Sequence, residues 1–100
     1  MEKSKLNSQE RIFEIIRLLR QNHFLGLSNK ELAQLLGTSE TNICRDLAIF
    51  NQYQWIEKGL AGKWRLSPEF GKIAGEIMKS YKEAKLLLSK DEERFATAMQ

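Results

Sequence analysis

The sequence predicts a mostly α-helical fold with a small β-hairpin: a three-helix core, the hairpin, and further helices towards the C-terminus. Three observations carry this. Capping signatures precede apolar segments of helical period, at Asn7–Glu10 and Ser28–Glu31. A three-residue turn, Gly37-Thr38-Ser39, separates two such segments. Two short β-rich runs, each carrying a tryptophan, flank the Gly59-Leu60-Ala61-Gly62 loop.

The first helix begins at Asn7, whose side chain can cap while Glu10 completes the capping box. Ile12, Ile15, Ile16 and Leu19 then fall at i, i+3, i+4 and i+7, and Phe13 broadens the stripe. Arg11, Arg17 and Arg20 are expected to point elsewhere, and the helix to end near Asn22. The second helix opens at Ser28 with Glu31 at its third position; Leu32, Leu35 and Leu36 form its apolar face, and Ala33 permits close approach. Gly37 can take the left-handed conformation that ends a helix. The third helix is capped by Ser39 and favoured by Glu40 at the positive end of its dipole. Ile43, Leu47 and Phe50 face the core, which leaves Thr41, Asn42, Arg45 and Asp46 towards solvent, with Cys44 partly buried beside the core face.

Residues 55–58 and 63–66 read as strands; in the second, Trp64 and Leu66 lie on one face, Lys63 and Arg65 on the other. Ser67-Pro68 opens another helix. Phe70, Ala74, Ile77, Tyr81, Ala84 and Leu88 follow with alternating spacings of four and three, a candidate homodimer seam. Ser89–Glu92 is a further capping signature, where a terminal helix can begin. A core module over 1–66 and a helical extension over 67–100 follow from this order. Two helices joined by a tight turn and followed by a hairpin make a winged helix-turn-helix.

Composition sets bounds. The chain has 100 residues, 42% apolar, and a formal net charge of +3. Residues 1–27 carry five basic and three acidic groups, 28–66 five and four, 67–100 six and six. No segment is polybasic, so nucleic-acid affinity has to come from placed side chains rather than bulk charge. One Cys forms no internal disulfide, which fits a reducing cytoplasm. The opening MEKSKLNSQER lacks the apolar core of a signal peptide, and no apolar run is long enough to span a bilayer. His23 has no ligand-spaced neighbours, and no nucleophile–base pair or phosphate-binding Gly loop stands out. No enzyme activity, cofactor, metal, membrane association or small-molecule effector is expected.

The ELAQLLGTSETNICRDL segment and the GKWRL strand resemble winged-helix transcription regulators, in particular the DNA-binding module of the IclR type and more loosely the MarR type. The resemblance covers Leu27–Leu66, with Ile12–Leu19 as supporting helix. It implies a third helix in the major groove of double-stranded DNA, with Thr41, Asn42 and Arg45 as contacts, and a wing touching the backbone through Lys63 and Arg65. Ser39 and Lys58 join them as candidate phosphate contacts. Trp55 and Trp64 are expected to pack the hairpin rather than stack on bases. The sequence departs from the pattern at Gln54, where the family often has Gly, and at Asp46, where it often has an apolar or neutral residue. The large IclR effector domain has no counterpart here, so the expectation is a small stand-alone factor of the kind phages and mobile elements carry. The expected function is sequence-specific duplex binding by a small, dimeric transcriptional regulator. Two alternatives stay open: a winged helix that holds a protein partner, favoured by acidic Glu40 and Asp46, or an accessory subunit of a DNA recombination or packaging complex.

Overall fold

The structure is a computed structural model that describes residues 6–100. The amino-terminal segment read for a signal peptide lies partly outside the described residues. The element order is α1 (Ser8–Gln21), α2 (Asn29–Leu36), α3 (Glu40–Gln52), β1 (Ile56–Lys58), β2 (Trp64–Leu66) and α4 (Glu69–Ala98). This is the helix–helix–helix–hairpin order of a winged helix-turn-helix. The chain divides into two compact units, Met1–Glu69 and Phe70–Gln100.

In the first unit the caps sit where the sequence places them. Asn7 Oδ1 accepts the Glu10 N–H at 2.8 Å, and Glu10 Oε1 accepts the Asn7 N–H at 3.0 Å. Ser28 and Glu31 form the same reciprocal pair at 3.1 and 3.0 Å. Ser39 Oγ accepts the Asn42 N–H at 3.1 Å. Each arrangement satisfies backbone donors that the helix itself cannot.

Gly37 ends α2 at φ 63°, with Thr38 N–H donating to Ala33 O and Gly37 N–H to Gln34 O. This is the Schellman arrangement. The same pair of bonds recurs after α3, from Trp55 N–H to Phe50 O and Gln54 N–H to Asn51 O. There the left-handed position is Gln54, at φ 62°. The site where the resemblance expects Gly thus has the backbone conformation that Gly adopts without strain.

Ile15, Leu18, Leu19, Leu27, Leu32, Ala33, Ile43, Leu47, Phe50, Ile56 and Leu66 form the core. β1 and β2 pair antiparallel, Ile56 opposite Leu66, Glu57 opposite Arg65 and Lys58 opposite Trp64. Leu27 adds a bridge to Trp64 through two backbone hydrogen bonds of 2.9 and 3.0 Å, which ties the entry of α2 to the hairpin. Gly26 permits this approach: a Cβ there would stand 2.4 Å from the Trp64 carbonyl oxygen.

Several expectations about faces are corrected. The α1 stripe is rotated: Leu18 is buried, Ile12 and Ile16 only half-buried, and Phe13 is 72% exposed. Arg11, expected in solvent, is 8% exposed because it meets Asp46, itself 6% exposed instead of facing out on α3. Leu35 is also exposed. The eight-residue α2 packs through Leu32 and Ala33, and Leu35 projects away from that contact. Cys44 is exposed, since the buried arc of α3 runs through Ile43, Asp46, Leu47 and Phe50. Trp55 and Lys63 fall just outside the strands, each one residue shorter than expected.

The second unit is a helix. α4 runs unbroken through Ser89–Glu92, so a single C-terminal helix replaces the plural helices expected. Neither Gly nor Pro interrupts Leu86–Ala98, and strong helix formers surround Ser89, so its capping signature has no break to cap. None of the α4 residues is buried.

Candidate nucleic-acid interface

Helix α3 is held by its buried face and by one ion pair. Arg11 Nε donates to Asp46 Oδ2 at 2.6 Å and Arg11 Nη2 to Asp46 Oδ1 at 3.0 Å. This bidentate geometry fixes the rotation of α3 about its own axis against α1. The hydrogen bonds to Asp46 hold the Arg11 guanidinium above its ordinary pKa. The acidity of Asp46, which departs from the expected pattern, is thereby neutralised inside the protein.

With that face inward, Thr41, Arg45, Ala48 and Gln52 form an exposed stripe along α3, at i, i+4, i+7 and i+11. Among the described residues Arg45 makes no hydrogen bond or ion pair, leaving five donors available. Cys44 flanks the stripe on one side; its Sγ accepts from Asn29 Nδ2 at 3.1 Å. Asn42 flanks it on the other and is half-buried, its Nδ2 donating to Thr38 Oγ1 at 2.9 Å. Asn42 thus braces the turn between α2 and α3, whereas Thr41 and Arg45 project freely. Ser39 is exposed and caps α3, which still leaves its hydroxyl hydrogen to donate.

The wing cations are all engaged. Lys58 Nζ lies 4.0 Å from the centroid of the Trp64 ring. Lys63 Nζ is 2.9 Å from Glu31 Oε1 on α2. Arg65 reaches Glu57, its cross-strand neighbour, through Nη2 at 2.7 Å and Nε at 2.8 Å. Trp64 packs in the hairpin, its indole N–H donating to Asn29 Oδ1 at 2.9 Å. Asn29 therefore joins the wing to α3, accepting from Trp64 and donating to Cys44. The Lys63 contact, followed by the Ser28 backbone bond, holds the Glu31 carboxyl below its ordinary pKa.

Sequence reasoning missed Ala48, Gln52 and the exposure of Cys44 on or beside this face. Continuing the helical spacing from Thr41 and Arg45 would have found the first two. Asn29 carries no such signal, because its partners come from distant parts of the chain. Lys30, also missed, is exposed on the first turn of α2.

A separate hollow of about 330 Å³ lies between α1 and the C-terminal end of α3. It is lined by Ile12, Ile49, Phe50, Tyr53 and Trp55. No helix among the described residues is long and apolar enough to cross a membrane, and no group of His, Cys, Asp or Glu among them has the geometry to hold a metal ion.

Residues 11–68 match the model of the DeoR-like helix-turn-helix domain, more than half of the chain. The match takes in most of α1, the turn between α2 and α3, and the hairpin. The match supports a winged helix-turn-helix of the DeoR-like type and not specifically the IclR or MarR type that Leu27–Leu66 resembles. No curated protein matches the chain.

Proposed function

The chain belongs to the DeoR-like helix-turn-helix family, and from that premise we propose that it binds double-stranded DNA sequence-specifically, as a small transcriptional regulator. The observation that carries the reading is the exposed stripe of α3, with an unpaired Arg45 at its centre. An α-helix fits the major groove, where Arg bonds guanine O6 and N7 in a bidentate way. Thr41 and Ser39, near the N-terminus of α3, suit phosphate contacts, and Ala48 offers a methyl surface to thymine. Asn42 contributes through the turn it braces, and its remaining amide atoms can meet adenine. Lys58, Lys63 and Arg65 supply the wing contacts. In this reading residues 1–66 are the reading head, and α4 pairs two copies through Phe70, Ala74, Ile77, Tyr81, Ala84 and Leu88. The regulator works in the cytoplasm with its DNA.

Fluorescence anisotropy of labelled duplexes selected from a random pool tests the proposal. R45A is expected to weaken binding by about 1–3 kcal/mol and to relax preference at one base pair. No retention of any duplex at low salt, or indifference to R45A and N42A combined, would refute sequence-specific binding.

A second reading, a winged helix that holds a protein partner, draws on the apolar hollow beside α3, where Ile49 and Tyr53 are 53% and 67% exposed. It no longer draws on Asp46, whose charge is met by Arg11. Loss of partner capture on Tyr53→Ser, with duplex binding absent, would favour it.

A further inference from the structure

Resting on the DNA-binding reading above, we propose that Glu31 and Glu57 restrain the DNA affinity of the wing: in the free protein they occupy Lys63 and Arg65, so that backbone phosphate has to displace a carboxylate. Both contacts are built into the fold. Glu31 Oε1 accepts the Ser28 N–H at 3.0 Å as part of the α2 capping box, and the same oxygen lies 2.9 Å from Lys63 Nζ. The cap therefore aims a carboxylate at the wing. Glu57 stands directly across the hairpin from Arg65. Gly59 leaves room for the arginine stem on its way there, since a Cβ at Gly59 would sit 3.1 Å from Arg65 Cδ. Both pairs are partly shielded from solvent, with side-chain exposures of 28% to 40%.

Random-sequence DNA offers only phosphates. On it, Lys63 or Arg65 exchanges one anionic partner for another, and the freed carboxylate takes up a cation. That uptake cancels the counterion release which drives non-specific binding. A duplex with the right bases adds contacts along α3 that hold the wing against the backbone, and the exchange then proceeds intramolecularly. The two carboxylates thus weaken every complex by a cost that all of them share, which lowers affinity without altering the ratio between duplexes.

The test uses the full chain and its E31Q and E57Q variants, binding a random-sequence duplex and a duplex selected from a random pool across a salt series. Gln serves at the third position of a capping box, so E31Q keeps the α2 cap. Each variant is expected to bind the random duplex about two- to fivefold tighter, the strength of a partly exposed ion pair. The dependence of log affinity on log salt should steepen by about one per carboxylate removed. The selected duplex should gain by a similar factor, because the displaced carboxylate is a cost common to both complexes. In a K63A background the gain from E31Q should vanish, because no cation remains to be released. Unchanged or weaker binding by both variants overturns the proposal, as does a gain from E31Q that persists beside K63A and so reflects general charge. Wild-type binding with such results leaves the DNA reading standing. Failure of the wild type to bind either duplex at low salt overturns both.

Discussion

Two residues of the α3 region set its orientation at a cost that can be measured. Asp46 is buried and paired with Arg11 through two hydrogen bonds. Removing one partner leaves a charge out of water without compensation, whereas removing both need not. D46A is therefore expected to destabilise the protein by about 3 kcal/mol, the lower end of the range for such pairs because this one lies near the surface of a small core. The double variant Arg11→Met with Asp46→Leu should recover most of the loss. Urea denaturation of D46A, of Arg11→Met and Asp46→Leu singly, and of the double variant checks this, and additive losses would show that the two groups act independently. Gln54 is the second residue. A side chain in the left-handed region costs about 1–2 kcal/mol, and Gly recovers that less about 0.5–1 kcal/mol for its greater freedom when unfolded. Gln54→Gly should accordingly raise stability by about 0.5–1 kcal/mol, read as a higher urea midpoint at unchanged m-value. A lower midpoint would mean that the Gln54 side chain contributes contacts outweighing the strain.

At the scale of elements, the second helix and the wing are tied together by Glu31, and the tie is pH-dependent. Its carboxyl is depressed from the ordinary 4.5, first by Lys63 and then by the Ser28 N–H. A group with a depressed folded pKa contributes stability that is fully present above the unfolded value and is lost as pH falls through the folded one. Wild-type stability should therefore exceed that of E31Q at neutral pH and converge on it below the ordinary carboxylate range. Parallel curves across that window would exclude the linkage. The same elements show what was legible in the sequence. Caps at Asn7, Ser28 and Ser39, the Gly37 turn and the Trp64–Leu66 alternation are local signals, and each element they mark is present. The faces of α1 and α2 were less legible. Arg11 and Asp46 are 35 residues apart, and period alone sends both to solvent because it cannot anticipate their pairing. The stripe of Thr41 and Arg45 was readable from periodicity. The engagement of Lys63 and Arg65 with carboxylates was not, because it depends on how the hairpin folds back on α2 and on itself.

For the whole molecule the decisive element is α4. A 30-residue helix is about 45 Å long, and here none of it is buried. Ile77, Tyr81 and Leu88 stand exposed along one side, and because the helix does not break at Ser89, Phe95 continues their spacing seven residues past Leu88. The alternating series thus runs from Phe70 to Ala98, four heptads, with Asp91 as its polar position. That length is enough for a coiled-coil seam to be a firm pattern, and an isolated helix with such a face is unfavourable in water. Two heads joined this way gain from effective concentration, which multiplies affinity for paired half-sites without any new contact to DNA. Sedimentation equilibrium of the full chain should therefore report a dimer, and Ile77→Asp combined with Leu88→Asp a monomer. On a palindromic duplex the combined variant should bind about a hundredfold more weakly or worse, while a single half-site should bind it as it binds the wild type. An equal loss on both duplexes would point to damage in the head instead. A wild-type chain that sediments as a monomer while still binding palindromes tightly would assign all of the affinity to one head and leave the α4 face to some other partner.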